Sequence, residues 1–176
     1  MRTQKVNTAT NESAEQFDTV FTESCRVVQP GKKLRVVPFL FCLPVGDTLA
    51  TDWLRRYSDY DGGNWDYYLL PKGVQGKIAP DTIISTQVTT GFIAQSGNQL
   101  YKMDIPCNYF SAEVSAQAAG IIATLMIMNG LSWKLSEMGP KYSGLCNGLI
   151  ARQDALKDYI SIARHPERNL IWSAID

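Results

Sequence analysis

Charge of one sign is what this sequence most obviously lacks. Its 176 residues carry 17 Lys and Arg against 17 Asp and Glu, a formal net charge of zero. Neutrality excludes two simple modes of action: a basic nucleic-acid binder recognisable from bulk charge, and an acidic imitation of the DNA phosphate ladder. Histidine occurs once, as His165, so any Ser-His-Asp or Cys-His catalyst would have to use it. The four cysteines, Cys25, Cys42, Cys107 and Cys146, are 17, 65 and 39 positions apart, which leaves no C-x-x-C pair and argues against zinc. No glycine-rich phosphate cradle, internal repeat or low-complexity tract is present, and no cofactor or metal is implied. The polar start of the chain has no apolar run before a cleavage site, which points to a reducing cytoplasm and free thiols. Residues 114–133 are uncharged, but Ser115, Gln117, Thr124, Asn129 and Ser132 interrupt them, so the stretch reads as a buried core helix and not a membrane span.

What is present fits one globular domain. Apolar residues make up 45% of the chain, and a domain of this length typically buries about 70% of the surface its unfolded form exposes. Residues 1–24, rich in Thr, Asn, Ser, Gln and Glu, form a flexible N-terminal segment, and the fold occupies 25–176. Pro38 and Pro44 break the apolar stretch 36–45, which suits an extended edge or docking segment. Leu49, Trp53, Tyr57 and Tyr60 recur at helical spacing, with Asp47 as N-cap and Gly62-Gly63 as the stop. Alternation at Trp65, Tyr67 and Leu69 predicts a strand, and Pro71-Lys72-Gly73 a hairpin turn after it. Ser96-Gly97-Asn98 would join a second antiparallel pair, 91–95 with 101–105, while the pairing of 78–90 is not readable. Ser111 is positioned to cap a helix over 112–133, a further helix covers 145–163, and Pro166 opens a short last one. The fold class is α+β: a single compact domain with a small antiparallel sheet packed against about four helices.

Chemistry is sparse. His165, just before Pro166, reads as a capping or surface group and not a catalytic base. The stretch 59–66 superficially matches a calcium loop, but Leu70 occupies the position that needs a bidentate Glu. Aromatic density over 53–68, interleaved with Asp52, Asp59, Asp61 and Asp66, suits a protein interface, although the helix and strand periods turn about half of these rings inward. The Lys32-Lys33-Leu34-Arg35 run reads more simply as a solvated segment than as a nucleic-acid site.

Three elements together resemble a family: Tyr60-Asp61-Gly62-Gly63-Asn64-Trp65, the Ser115-Ala116-Gln117-Ala118-Ala119-Gly120-Ile121 stretch, and His165-Pro166-Glu167 followed by the ending Ala174-Ile175-Asp176. In order and spacing this chain is similar to the ArdB/KlcA antirestriction proteins of plasmids and other mobile elements, over about residues 41–176. It departs from their pattern at Gln117, where Asp is usual, and in a longer link over 78–99. The resemblance implies a compact α+β antirestriction domain, 25–176, that inhibits type I restriction-modification enzymes in the bacterial cell and has no enzymatic activity of its own. Because the charge is balanced, inhibition must use a route other than acidic DNA mimicry. The implied partner is the type I restriction complex or a host factor linked to it, met by a monomer, with DNA binding weak and non-specific at most. The competing class is a nucleic-acid-binding module acting through Lys32 to Arg35; a hydrolase built on His165 and Asp176 ranks last. The partner-binding candidates are the carboxylates Asp61, Asp66, Glu167 and Asp176, with Trp65 as apolar anchor. Glu167 has a rival explanation in a helix dipole.

Overall fold

The computed structural model describes Phe17 and residues 19–176. Its elements run β1 (Arg26–Val27), α1 (Lys33–Phe41), α2 (Gly46–Tyr57), β2 (Trp65–Leu70), β3 (Gln75–Ala79), β4 (Thr82–Ser85), β5 (Thr90–Gln95), β6 (Leu100–Ile105), β7 (Phe110–Ser115), α3 (Ala116–Glu137), α4 (Ser143–Ala163) and α5 (Arg168–Ile175). Residues 19–24 are helical as well. The strands form three small antiparallel sheets, ordered β1-β2-β5, β3-β4 and β6-β7. The α+β class holds.

Helix α3 is the centre of the domain. A helix apolar on nearly every side can be stable in water only when enclosed, and α3 is packed by β5, α2, α4 and α5. By length and apolarity it could cross a bilayer, yet most of its apolar surface is buried inside the fold. Every residue of β5 is buried too, because α3 lies against that strand. Gly120 permits the approach: a Cβ there would meet the Ile93 carbonyl oxygen at 2.3 Å and the Ala94 Cα at 2.6 Å. Thr124 Oγ1 accepts the Ile93 N–H at 3.3 Å, so the helix satisfies a donor that no strand meets. Two apolar clusters share α3, one including Leu54, Phe92, Ile122 and Leu156, the other Leu40, Phe41, Ile93 and Leu149 with Met128.

Several expectations are corrected. Of residues 1–24, read as flexible, 1–16 and 18 lie outside the described residues, but Phe17 is buried in the core and 19–24 are helical. Most of the segment read as extended over 36–45 is helical: α1 contains Pro38 and buries Val36, Val37, Leu40 and Phe41. Burial of those four side chains outweighs the loss of one backbone hydrogen bond, a penalty of about 3 kcal/mol. Cys42 then closes α1 in the left-handed region (φ 57°), and Pro44 follows it. Helix α2 begins at Gly46 after Val45, so Asp47 is in its first turn and is not the cap, and it ends at Tyr57, ahead of the glycines.

Strand β2 pairs with β1 and β5 and not across the Pro71-Lys72-Gly73 turn, while β3 and β4 form the hairpin that follows. Strand β6 pairs with β7 and not with β5. The reason lies in burial: β5 is enclosed on both faces, whereas β6 alternates exposed and buried, so the two serve different sheets. The residues after Ser111 continue as strand, and the cap is Ser115, whose Oγ accepts the Ala118 N–H at 3.1 Å.

Candidate functional site

Two of the sequence elements meet where α3 and α5 begin. Ser115 caps α3, and the Glu167 carboxylate accepts the Ser115 N–H at 2.8 Å and also the Ser115 hydroxyl. In a capping box, the acid three residues into the helix accepts the N-cap N–H; here that position is Ala118, and Glu167 supplies the acid from a different helix. His165 is beside it, 2% exposed, which corrects the surface alternative. Its Nδ1 accepts the Glu167 N–H at 3.0 Å, so it does cap the entry to α5, and its Nε2 is 3.1 Å from Gln117 Oε1. Since Nδ1 accepts, the neutral ring carries its proton on Nε2 and donates it to Gln117. The ring also packs edge-on against Phe17, 4.7 Å between centroids. Burial lowers the His165 pKa to about 4, and with both nitrogens engaged the imidazole has no free position for proton transfer.

The third element wraps the far end of β2. The Tyr60 ring lies 5.9 Å from Trp65 and 6.0 Å from Tyr101, and its hydroxyl accepts a hydrogen bond from Gln95 Nε2 at 3.2 Å. Gly62 and Gly63 have φ near +138° and +139°, a region that L side chains avoid. A Cβ on Gly63 would also come within 2.3 Å of Gln95 Oε1, which is buried and has no hydrogen-bond partner among the described residues. Trp65 is half-buried between the two apolar clusters, and its carbonyl accepts from Lys33 Nζ at 2.7 Å.

The family model for antirestriction proteins matches residues 58–176, a span that contains all three elements. The chain belongs to the antirestriction protein family. It is 31% identical to the antirestriction protein KlcA of Escherichia coli over 132 residues, covering 74% of this chain and 77% of the relative. It is 30% identical to the putative antirestriction protein YubI of Escherichia coli strain K12 over 122 residues, 69% of this chain and 72% of the relative. A solved structure belonging to work on KlcA and ArdB superposes with a TM-score of 0.60 at 27% identity, over 87% of this chain and 94% of the other. Those two proteins have a novel fold and antirestriction activity against type I DNA restriction systems in vivo but not in vitro.

Among the five candidate site residues of this antirestriction chain, the structure separates structural from available groups. Glu167 is engaged with Ser115, so its carboxylate has a structural role. Asp61 and Asp176 are exposed, and Asp66 is half-buried opposite Ala94 of β5. Glu167 and Asp176 bracket α5, nine positions or about 13 Å of helix rise apart, so the five do not form one cluster. The basic run is split as well: Lys33 turns inward to Trp65 and sits over the Tyr67 ring at 5.1 Å, while Lys32 and Arg35 stay exposed. Sequence reasoning missed Gln95; its signal was an amide ending the otherwise apolar run of β5. No group of three His, Cys, Asp or Glu able to hold a metal occurs among the described residues.

Proposed function

We propose that this protein inhibits type I restriction-modification enzymes in the bacterial cytoplasm by contacting a protein, either the restriction complex or a host factor linked to it, and not by imitating DNA. The observation that carries this reading is charge balance, 17 basic against 17 acidic groups, in a member of a family whose characterised relatives act on type I systems in vivo but not in vitro. A duplex mimic needs a dense one-signed field, and an inhibitor that depends on a cellular component would be active in cells and silent with purified enzyme. The exposed carboxylates Asp61 and Asp176, with Asp66 beside Trp65, are the favoured contact groups. Glu167 acts on that surface only by holding α5 against the start of α3.

Plating unmodified phage on restricting cells tests the reading. Cells that express the protein should plate unmodified phage nearly as well as modified phage, and modification of the surviving phage should persist. Equal restriction with and without the protein would refute it. Asp66→Asn and Asp176→Asn should melt within a degree or two of wild type, since surface changes usually cost about 0.5 kcal/mol or less, yet protect less; full protection by both would move the contact surface elsewhere.

A further inference from the structure

A groove of about 470 Å³ runs between β1 and the start of α1. Val27, Val36, Phe39 and Leu69 make its walls, and Val27 is 58% exposed. Three cations, Arg26, Lys32 and Arg35, stand around it, and no carboxylate lines it. Their side chains have no ion-pair or hydrogen-bond partner among the described residues. Lys32, Lys33 and Arg35 also crowd the positive end of α1, whose first turn contains no acid, an arrangement the helix dipole disfavours. Lys33 is compensated by the Trp65 carbonyl and the Tyr67 ring, whereas Lys32 and Arg35 break the rule with no compensation among the described residues, as a binding surface does in the unbound molecule.

We infer that this groove docks an acidic segment of a partner protein that inserts an apolar side chain between β1 and α1. Charge complementarity selects the acidic segment: the three cations meet no anion among the described residues. The apolar walls select a protein over nucleic acid. A phosphate backbone gains nothing from the apolar walls Val27, Val36 and Leu69. Single strands bind by stacking bases on open aromatic faces, but the one aromatic ring here, Phe39, already carries the Arg152 guanidinium 5.4 Å from its centroid. For its biological role the inference rests on the protein-contact reading above. Its test uses purified components, so its failure leaves the plating result untouched, and a failed plating test leaves the groove untouched.

The experiment is fluorescence anisotropy with the full chain and a labelled peptide of Asp and Glu interrupted by Leu and Phe. The controls are the same peptide with Lys for the acids, the same peptide with Ser for Leu and Phe, and a thymidine oligonucleotide. The acidic apolar peptide should bind at least about tenfold tighter than either control peptide and tighter than the oligonucleotide at equal salt. Lys32→Glu with Arg35→Glu should reduce its affinity by about tenfold or more; acids there suit the helix dipole, so the helix should persist, as circular dichroism will report. Val27→Ser, outside the helix, should weaken binding independently. Equal binding of the acidic and basic peptides, tighter binding of the oligonucleotide, or full affinity in folded variants of both kinds would overturn the inference.

Discussion

Acidification should weaken this fold through His165 before most carboxylates are protonated. In the unfolded chain the imidazole titrates near 6.5, whereas in the native state burial lowers its pKa to about 4. Between these values the unfolded chain holds a proton that the native ring refuses, so stability is fully present above pH 6.5 and is lost as pH falls toward 4. The gap corresponds to about 3 kcal/mol, a large share of the roughly 5–15 kcal/mol that stabilises a typical domain. Protonation would also place a second N–H on Nδ1, facing the Glu167 N–H that it now accepts. Urea unfolding at a series of pH values, for wild type and His165→Asn, isolates the effect. Asn retains an acceptor near the Nδ1 position but does not titrate, and Asp158, whose pKa is raised by burial and by Asp154, contributes equally to both proteins. The variant should be less stable at neutral pH by about 1–3 kcal/mol for the lost Gln117 bond and packing. It should nonetheless lack the decline that wild type shows between pH 6.5 and 4. Parallel pH profiles across that window would refute the assignment of a buried neutral imidazole.

Gly120→Ala should destabilise by about 3 kcal/mol, despite a helix-propensity gain of about 1 kcal/mol, because the new Cβ meets backbone of β5 that cannot yield; a raised melting temperature would contradict the close approach. Ser115→Ala and Glu167→Gln should each cost about 1–3 kcal/mol, and in the double mutant the losses should be clearly less than additive in chemical denaturation, as expected for two groups in direct contact. Native alkylation followed by peptide mapping should label exposed Cys107 first and spare Cys25, whose thiol burial pushes up to about 12, together with buried Cys146.

The helices were most legible in the residues where a single face is apolar over several turns. Helix α4 lies close to its expected position, and α2 covers most of its own, because a 3.6-residue period reports burial locally. The centrality of α3 followed from its composition alone. The candidate site was legible in part: the three elements that mark the family contain the positive-φ pair Gly62-Gly63, the tertiary cap and the buried imidazole. Their roles were not legible, since Glu167 resembles a dipole partner until Ser115 is seen beside it, and His165 resembles a surface cap until Phe17 and Gln117 enclose it.

Strand pairing was decided elsewhere. Alternation in β2 and β6 tells which face of a strand is buried, but an antiparallel partner can come from any distance along the chain, as β5 does for β2 across the whole β3-β4 hairpin. The Pro38 rule failed for a related reason: a local penalty of a few kcal/mol is smaller than the burial of Val36, Val37, Leu40 and Phe41 that α1 achieves against the core. Periodicity, charge balance and the short family elements are properties of neighbouring residues and can be read in order along the chain. The pairing of β5, the tertiary capping box and the groove beside β1 depend on which distant surfaces meet, and only packing around α3 brings those surfaces together.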